Sequence, residues 1–269
     1  MNSMKQADFV AGLIERFSKP LDEVRSREAR TSLSAAAQAI GNGTTGYHDP
    51  SDLYRVQHVV TRAMQGVPAA VRDTDTRRAA FEIGHAATLI AVGLAHDKAM
   101  DQVIAALDIA THAADQLAEV VPATSVEEPG HVLPMSMAIG VAFLLGTDAT
   151  RLSNAFGIAS SMTLATRRPD RTGAAMPLMV ALCCANGTLA ACLAHEGFTA
   201  SPKGLEGARG WRASLGGGES AAITAGLALR PGTVLSPAAR SGAATTATGR
   251  LRDLHPELAA SFEREHAHV

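Results

Sequence analysis

Apolar residues recur at helical spacing along most of this chain. Phe9, Val10, Leu13, Ile14 and Phe17 fall on one side of a segment over Ala7 to Phe17, which predicts a short amphipathic helix. Pro20 is placed to open the next helix, running through Glu23, Arg27 and Arg30 to Ile40 and ended by Gly41, Asn42, Gly43 and Gly46. Leu53 to Gln65 reads as a further helix. Asp75 to Ala95 and Lys98 to Val121 read as a helical hairpin turning near His96 and Asp97. Pro122 to Gly130 is a polar, proline-bearing loop. Leu133 to Leu145, Ala149 to Ala159 and Met176 to His195 complete the helical set. Asp148 or Thr147 is suited to cap the second of these, and Gly197 to end the last. Beyond Leu215 the pattern fades. Gly216-Gly217-Gly218 and the Ala/Thr/Gly-rich stretch from Ser236 to Gly249 read as a linker or tail, with a short helix over His255 to His266. The expected organisation is a helical domain over 1–215 and a tail over 216–269.

Composition sharpens the class. Hydrophobic residues make up 46% and aromatics 4%, so the core is built from Ala, Leu, Ile, Val and Met. Small side chains let helices approach closely, which favours an all-α bundle. A net charge of −2 gives no electrostatic case for nucleic acid or an anionic membrane. The apolar runs Met135–Leu145 and Met176–Ala194 hold too many small or polar residues to read as membrane spans. Cys183, Cys184 and Cys192 share one apolar helix, so no disulfide framework is expected and a reducing cytoplasm is the natural setting. The N-terminus shows no basic run followed by an apolar region, so no signal peptide is expected.

The stretch from Gly130 to Trp211 carries the most specific pattern. His131 is followed by a small-residue helix and Leu-Leu-Gly-Thr-Asp. Leu152-Ser153-Asn154-Ala155-Phe156-Gly157-Ile158-Ala159-Ser160 comes next, and then Asn186-Gly187. Leu193-Ala194-His195-Glu196-Gly197-Phe198-Thr199 and Leu205-Glu206-Gly207-Ala208-Arg209-Gly210 close the series. In order and spacing these pieces resemble the helical domain of the MmgE/PrpD family, the 2-methylcitrate dehydratase-like lyases. The resemblance extends from Phe9 to about Trp211, since Phe9–Arg16, Pro20 and Arg27–Gly41 match the family's opening. It implies a compact multi-helix bundle and homodimerisation.

Departures from the family pattern fall where its reactive groups stand. An acidic Asp-x-Asp-Asp-x-His stretch is expected near Ala79–Ala87, which here is apolar and runs into the next helix. The family's Lys-Pro-x-His-x-Gly is replaced by Met176-Pro177-Leu178-Met179-Val180-Ala181, so Met176 holds the lysine position and Met179 the histidine position. The family's second, smaller α+β lid domain finds no room before Val269. Dehydration or decarboxylation of a polycarboxylate needs an acid–base group and cations that hold the carboxylates. Replacing Lys by Met would desolvate such a substrate without compensation. Loss of one general acid or base alone costs roughly 10²–10⁴-fold in rate.

The remaining polar candidates each carry a functional and a plain reading. His131 fits a functional imidazole at a helix start, or a partly buried helix-initiating histidine. His85 fits a second group at the same cleft, though a satisfied core histidine explains it more simply. Arg168, Asp170 and Arg171 belong to a loop where the family lines its site; they fit substrate orientation, or a solvated charged loop. Met176 and Met179 fit an adaptable apolar pocket wall, or core packing. Tyr47-His48-Asp49 fits a simple turn. No metal-ligand spacing, P-loop or nucleophile elbow is present in the sequence, and neither metal nor cofactor is expected. Two functions follow. One is a diverged lyase, isomerase or cyclase using proton transfer on a small, less anionic organic substrate, with His131 as acid or base. The other is a non-catalytic subunit that binds a ligand or a partner.

Overall fold

A computed structural model describes residues 5–17, 21–42, 56–57, 59–61, 63–64, 76–120, 129–163, 175–207 and 210–214. Among them every long element is an α-helix and no strand occurs. The helices are α1 (Gln6–Phe17), α2 (Glu23–Asn42), α3 (Thr76–Ala95), α4 (Met100–Val120), α5 (Pro129–Leu144), α6 (Ala149–Ser161), α7 (Ala175–His195) and α8 (Trp211–Ser214). Helical residues also occur between 56 and 64, where Val56, Val59, Val60, Ala63 and Met64 are buried.

α5 is the centre of the bundle. It is apolar on every side, and each residue from Gly130 to Leu144 is buried. It packs against α7, α4, α6 and α3. The α5–α7 contact is the most extensive because Gly187 leaves its side-chain space to α5. A Cβ there would overlap the Pro134 carbonyl and come within 2.7 Å of Met137 Cβ. Backbones meet closely at that crossing, as the small-residue composition leads one to expect.

Short connections make antiparallel neighbours, and their chemistry is local. α3 turns into α4 through Asp97 at φ 50, with Lys98 N–H donating to Gly93 O at 2.9 Å. α5 ends at Gly146 (φ 75) and α7 at Gly197 (φ 95), and a Cβ at either would touch nothing within 4 Å. Both are glycine-ended terminal turns: Thr147 N–H bonds to Ala142 O at 3.1 Å, and Phe198 N–H to Leu193 O at 3.0 Å. Asp148 caps α6 by accepting from Arg151 N–H at 2.8 Å, while Thr147 is buried and donates its hydroxyl to Ala142 O at 2.9 Å.

Two helix starts differ from the sequence reading. α2 begins at Glu23 because Asp22 caps it, accepting from Arg25 N–H at 2.8 Å; Pro20 lies outside the described residues. α5 begins at Pro129, four positions before Leu133, and takes His131 into its first turn. Proline is favoured at the first helical position. Pro134, the apparent obstacle, removes only one helical hydrogen bond there. The C-terminal tail over 216–269 and its helix over His255 to His266 lie outside the described residues, as does the loop bearing Tyr47-His48-Asp49.

α1 is fastened by long-range contacts. Phe9 stacks at a tilt on Phe156 of α6, with ring centroids 5.0 Å apart. Gln6, 1% exposed, donates through Nε2 to Ser153 O at 2.9 Å. Its backbone N–H donates to Glu206 Oε2 at 3.0 Å, so a carboxylate from the Leu205–Gly210 motif caps the first turn of α1. α2 is tied to α4 by Arg25, whose Nη1 lies 3.3 Å from Asp108 Oδ2.

Candidate functional site

His131 is the third residue of α5 and is 6% exposed. Met176 is the second residue of α7 and is 5% exposed; Met179, one turn on, is half-buried against the core. These residues lie at one end of the bundle. A Cβ on Gly84 of α3 would touch Val180 and Cys184 of α7 and reach Leu133 of α5, whereas Gly187 faces Pro134, Met137 and Ala138. Contacts advance in the same direction along both helices, so α5 and α7 run parallel. Their first turns, and hence His131, Met176 and Met179, point to the same end. Leu178 lies between the methionines and is 57% exposed.

His85 has a different setting. It is in the middle of α3 and 0% exposed, with Nε2 2.8 Å from Ser136 Oγ on α5. Ser136 Oγ also lies 3.2 Å from Leu133 O, within reach of its hydroxyl proton. This buried chain, ring to hydroxyl to carbonyl, joins two helices. Arg168, Asp170 and Arg171 fall within 164–174, outside the described residues. The structure thus places His131 on the first turn of α5, Met176 and Met179 on the first turn of α7, and His85 deeper in the core.

No disulfide joins the three cysteines, and Cys183 and Cys184 are unsuited to chemistry. Burial pushes the Cys184 thiol up to about 12, with a hydrogen bond from Thr88 opposing the rise. Burial, aided by neighbouring Cys184, also raises Cys183. Thiolates do not form at neutral pH under those conditions. Among the described residues no group of His, Cys, Asp and Glu could hold a metal ion.

Sequence reasoning missed Ser136. The available signal was its polarity: a lone serine within Leu133-Pro134-Met135-Ser136-Met137-Ala138 is an anomaly in a buried helix and asks for a partner. It also missed a groove of about 460 Å³ between the second half of α6 and the segment 199–211, lined by Gly157, Ser160, Thr199, Lys203, Gly204 and Trp211 among others. None of the described candidate residues, His85, His131, Met176 and Met179, is among its lining. Met176–His195 is, among the described residues, the helix long and apolar enough to cross a membrane by length and composition, and 67% of the tested window is buried inside the bundle.

The fold and these positions define a class: an all-helical domain whose central parallel pair, α5 and α7, carries its distinctive residues on the two first turns. The sequence matches the family model of the MmgE/PrpD N-terminal domain over residues 26–224. The chain belongs to the MmgE/PrpD family. The match includes His85, His131, the 164–174 loop, both methionines and the Leu205–Gly210 motif, while α1 precedes it. No curated protein matches the chain.

Proposed function

We propose that this protein is a diverged MmgE/PrpD enzyme that moves a proton on a small organic substrate less anionic than a di- or tricarboxylate. His131 is the acid–base group, in a lyase, isomerase or cyclase reaction. The observation that carries this reading is the company His131 keeps. It is nearly sealed at the end of the bundle that also bears Met176 and Met179, and both of those are partly or wholly buried. A buried imidazole can still exchange a proton with substrate. Methionine at 176 brings no positive charge, whereas a second or third carboxylate needs a cation to hold it. Arg168, Asp170 and Arg171 are the proposed orienting groups, and one arginine suffices for one carboxylate. Three cysteines on one helix with no disulfide agree with a cytoplasmic setting.

Proton transfer is detectable before the product is known. Small monocarboxylic and neutral hydroxy or keto compounds are incubated with the protein in D₂O and read by mass spectrometry. The reading expects deuterium uptake into at least one compound, and loss of that uptake in His131→Ala with helicity and melting unchanged. Uptake that survives in His131→Ala removes His131 from the chemistry.

One observation favours a non-catalytic, partner-binding role. Leu178, 57% exposed, stands between the two methionines that replace the family's reactive pair. A greasy rim of that kind suits a protein contact. On that reading the face is covered by a second copy, as in the homodimer that the family resemblance implies, or by a full-length relative. Sedimentation at micromolar concentration with Leu178→Glu decides it: a dimer that dissociates supports the contact, and a monomer in both forms removes it.

A further inference from the structure

The first turn of α5 is intrinsically weak. Gly130 costs the helix about 0.5–1 kcal/mol relative to alanine. Pro134 has no N–H, so the Gly130 carbonyl loses its normal helical donor. The turn that carries His131 is therefore attached to the rest of α5 by fewer hydrogen bonds than an ordinary helical turn. Two neighbours press on this segment from outside. Gly187 of α7 accepts the Pro134 carbonyl and Met137 into its vacant side-chain space. His85 of α3 bonds through Nε2 to Ser136 Oγ at 2.8 Å, and that hydroxyl bonds back to Leu133 O at 3.2 Å. Leu133 O is also the expected acceptor for the Met137 amide, so the serine hydroxyl shares that carbonyl at the residues flanking the proline.

We propose that His85 is a positioning residue: its bond to Ser136 fixes the proline-interrupted start of α5 and thereby the placement of His131. The inference rests on the reading of His131 as the acid–base group, and it assigns His85 no proton transfer of its own. With 0% exposure, His85 meets no substrate from solvent. Its imidazole, the serine hydroxyl and the Leu133 carbonyl form a chain inside the core, where each bond polarises the next. A leucine or alanine at 85 would pack, yet would leave Ser136 with no donor from α3. Ser136 reports the same arrangement from the other side, since Ser136→Ala removes the bond while changing little volume and favouring helix.

Amide hydrogen exchange on the full chain tests this without any substrate. The informative amides are those of Leu133 and Met135, whose helical acceptors are the carbonyls of Pro129 and His131. In His85→Ala and in Ser136→Ala these two amides exchange at least about tenfold faster relative to amides of α6 and α7, and the His131 ring resonances move. His85→Gln places a donor near the same position and stays within about threefold of the wild type. Uniform acceleration across all helices in both alanine variants, or His131 ring signals that stay put in both, overturns the proposal. The two readings fail separately. Unmoved His131 signals remove the positioning role and leave the proposed chemistry standing. A responsive turn with deuterium uptake intact in His131→Ala removes the chemistry and leaves the positioning role.

Discussion

At the scale of single residues, the substitutions Met176 and Met179 matter through charge. Met176 is 5% exposed, so a lysine restored there buries an ammonium in an apolar setting. Met176→Lys is expected to destabilise the protein by about 2 kcal/mol, moderated because a lysine near a helix start can reach towards solvent. Urea unfolding measures it, and an unchanged midpoint would show that a counter-charge already awaits the lysine. His112 on α4 offers a second residue-level prediction. Burial, with the Arg16 and Arg25 guanidiniums facing it, pushes His112 from 6.5 down to about 4. Below pH 6.5 the unfolded chain binds a proton that the folded chain refuses, so stability present above 6.5 is lost as pH falls towards 4. Unfolding midpoints at pH 7 and pH 5 should differ in that sense, and His112→Gln should shrink the difference. An equal difference in the variant assigns the slope to other groups.

At the scale of elements, ends and crossings decide the bundle. Gly197 and Gly146 are needed for their positive φ alone, since a Cβ on either meets nothing within 4 Å. Gly197→Ala therefore costs about 1 kcal/mol, the left-handed penalty of an L-residue. Gly187→Ala drives a methyl group into α5 at the central crossing and costs about 3 kcal/mol; a cost no larger than that of Gly197→Ala would mean α5 and α7 separate easily. Glu206→Ala removes the carboxylate that caps α1 from a distance and costs about 1–2 kcal/mol, with faster amide exchange confined to α1. The local parts of this design were legible in the chain. Asp148 as a cap, Gly197 as a terminator and the α3–α4 turn at His96 and Asp97 are written in neighbouring residues. The start of α5 was not, because Pro129 and Gly130 read as the end of a loop, whereas proline at 129 takes the first helical position. Contacts between distant segments were hidden for a simpler reason. Gln6 with Glu206, and His85 with Ser136, involve one polar residue each in otherwise apolar or unremarkable stretches, and periodicity along the chain does not say which face meets which.

At the scale of the whole molecule, the family fold has been kept, and the proposed function has its polyanion chemistry changed. The helical order of the chain and its match to the MmgE/PrpD N-terminal domain over 26–224 establish the architecture. Motif spacing set His131 and Met176 near helix starts, and they lie on the first turns of α5 and α7. Burial of His85 agrees with the plain reading of a satisfied core histidine; its bond to Ser136 was not legible, since it depends on α3 packing against α5. The most direct measurement is to incubate the purified protein with 2-methylcitrate, citrate and cis-aconitate and follow each by NMR. On the proposed function, in which Met176 stands where the family has a lysine, no conversion of any of the three is expected above the uncatalysed rate. Efficient turnover of even one of them contradicts the account.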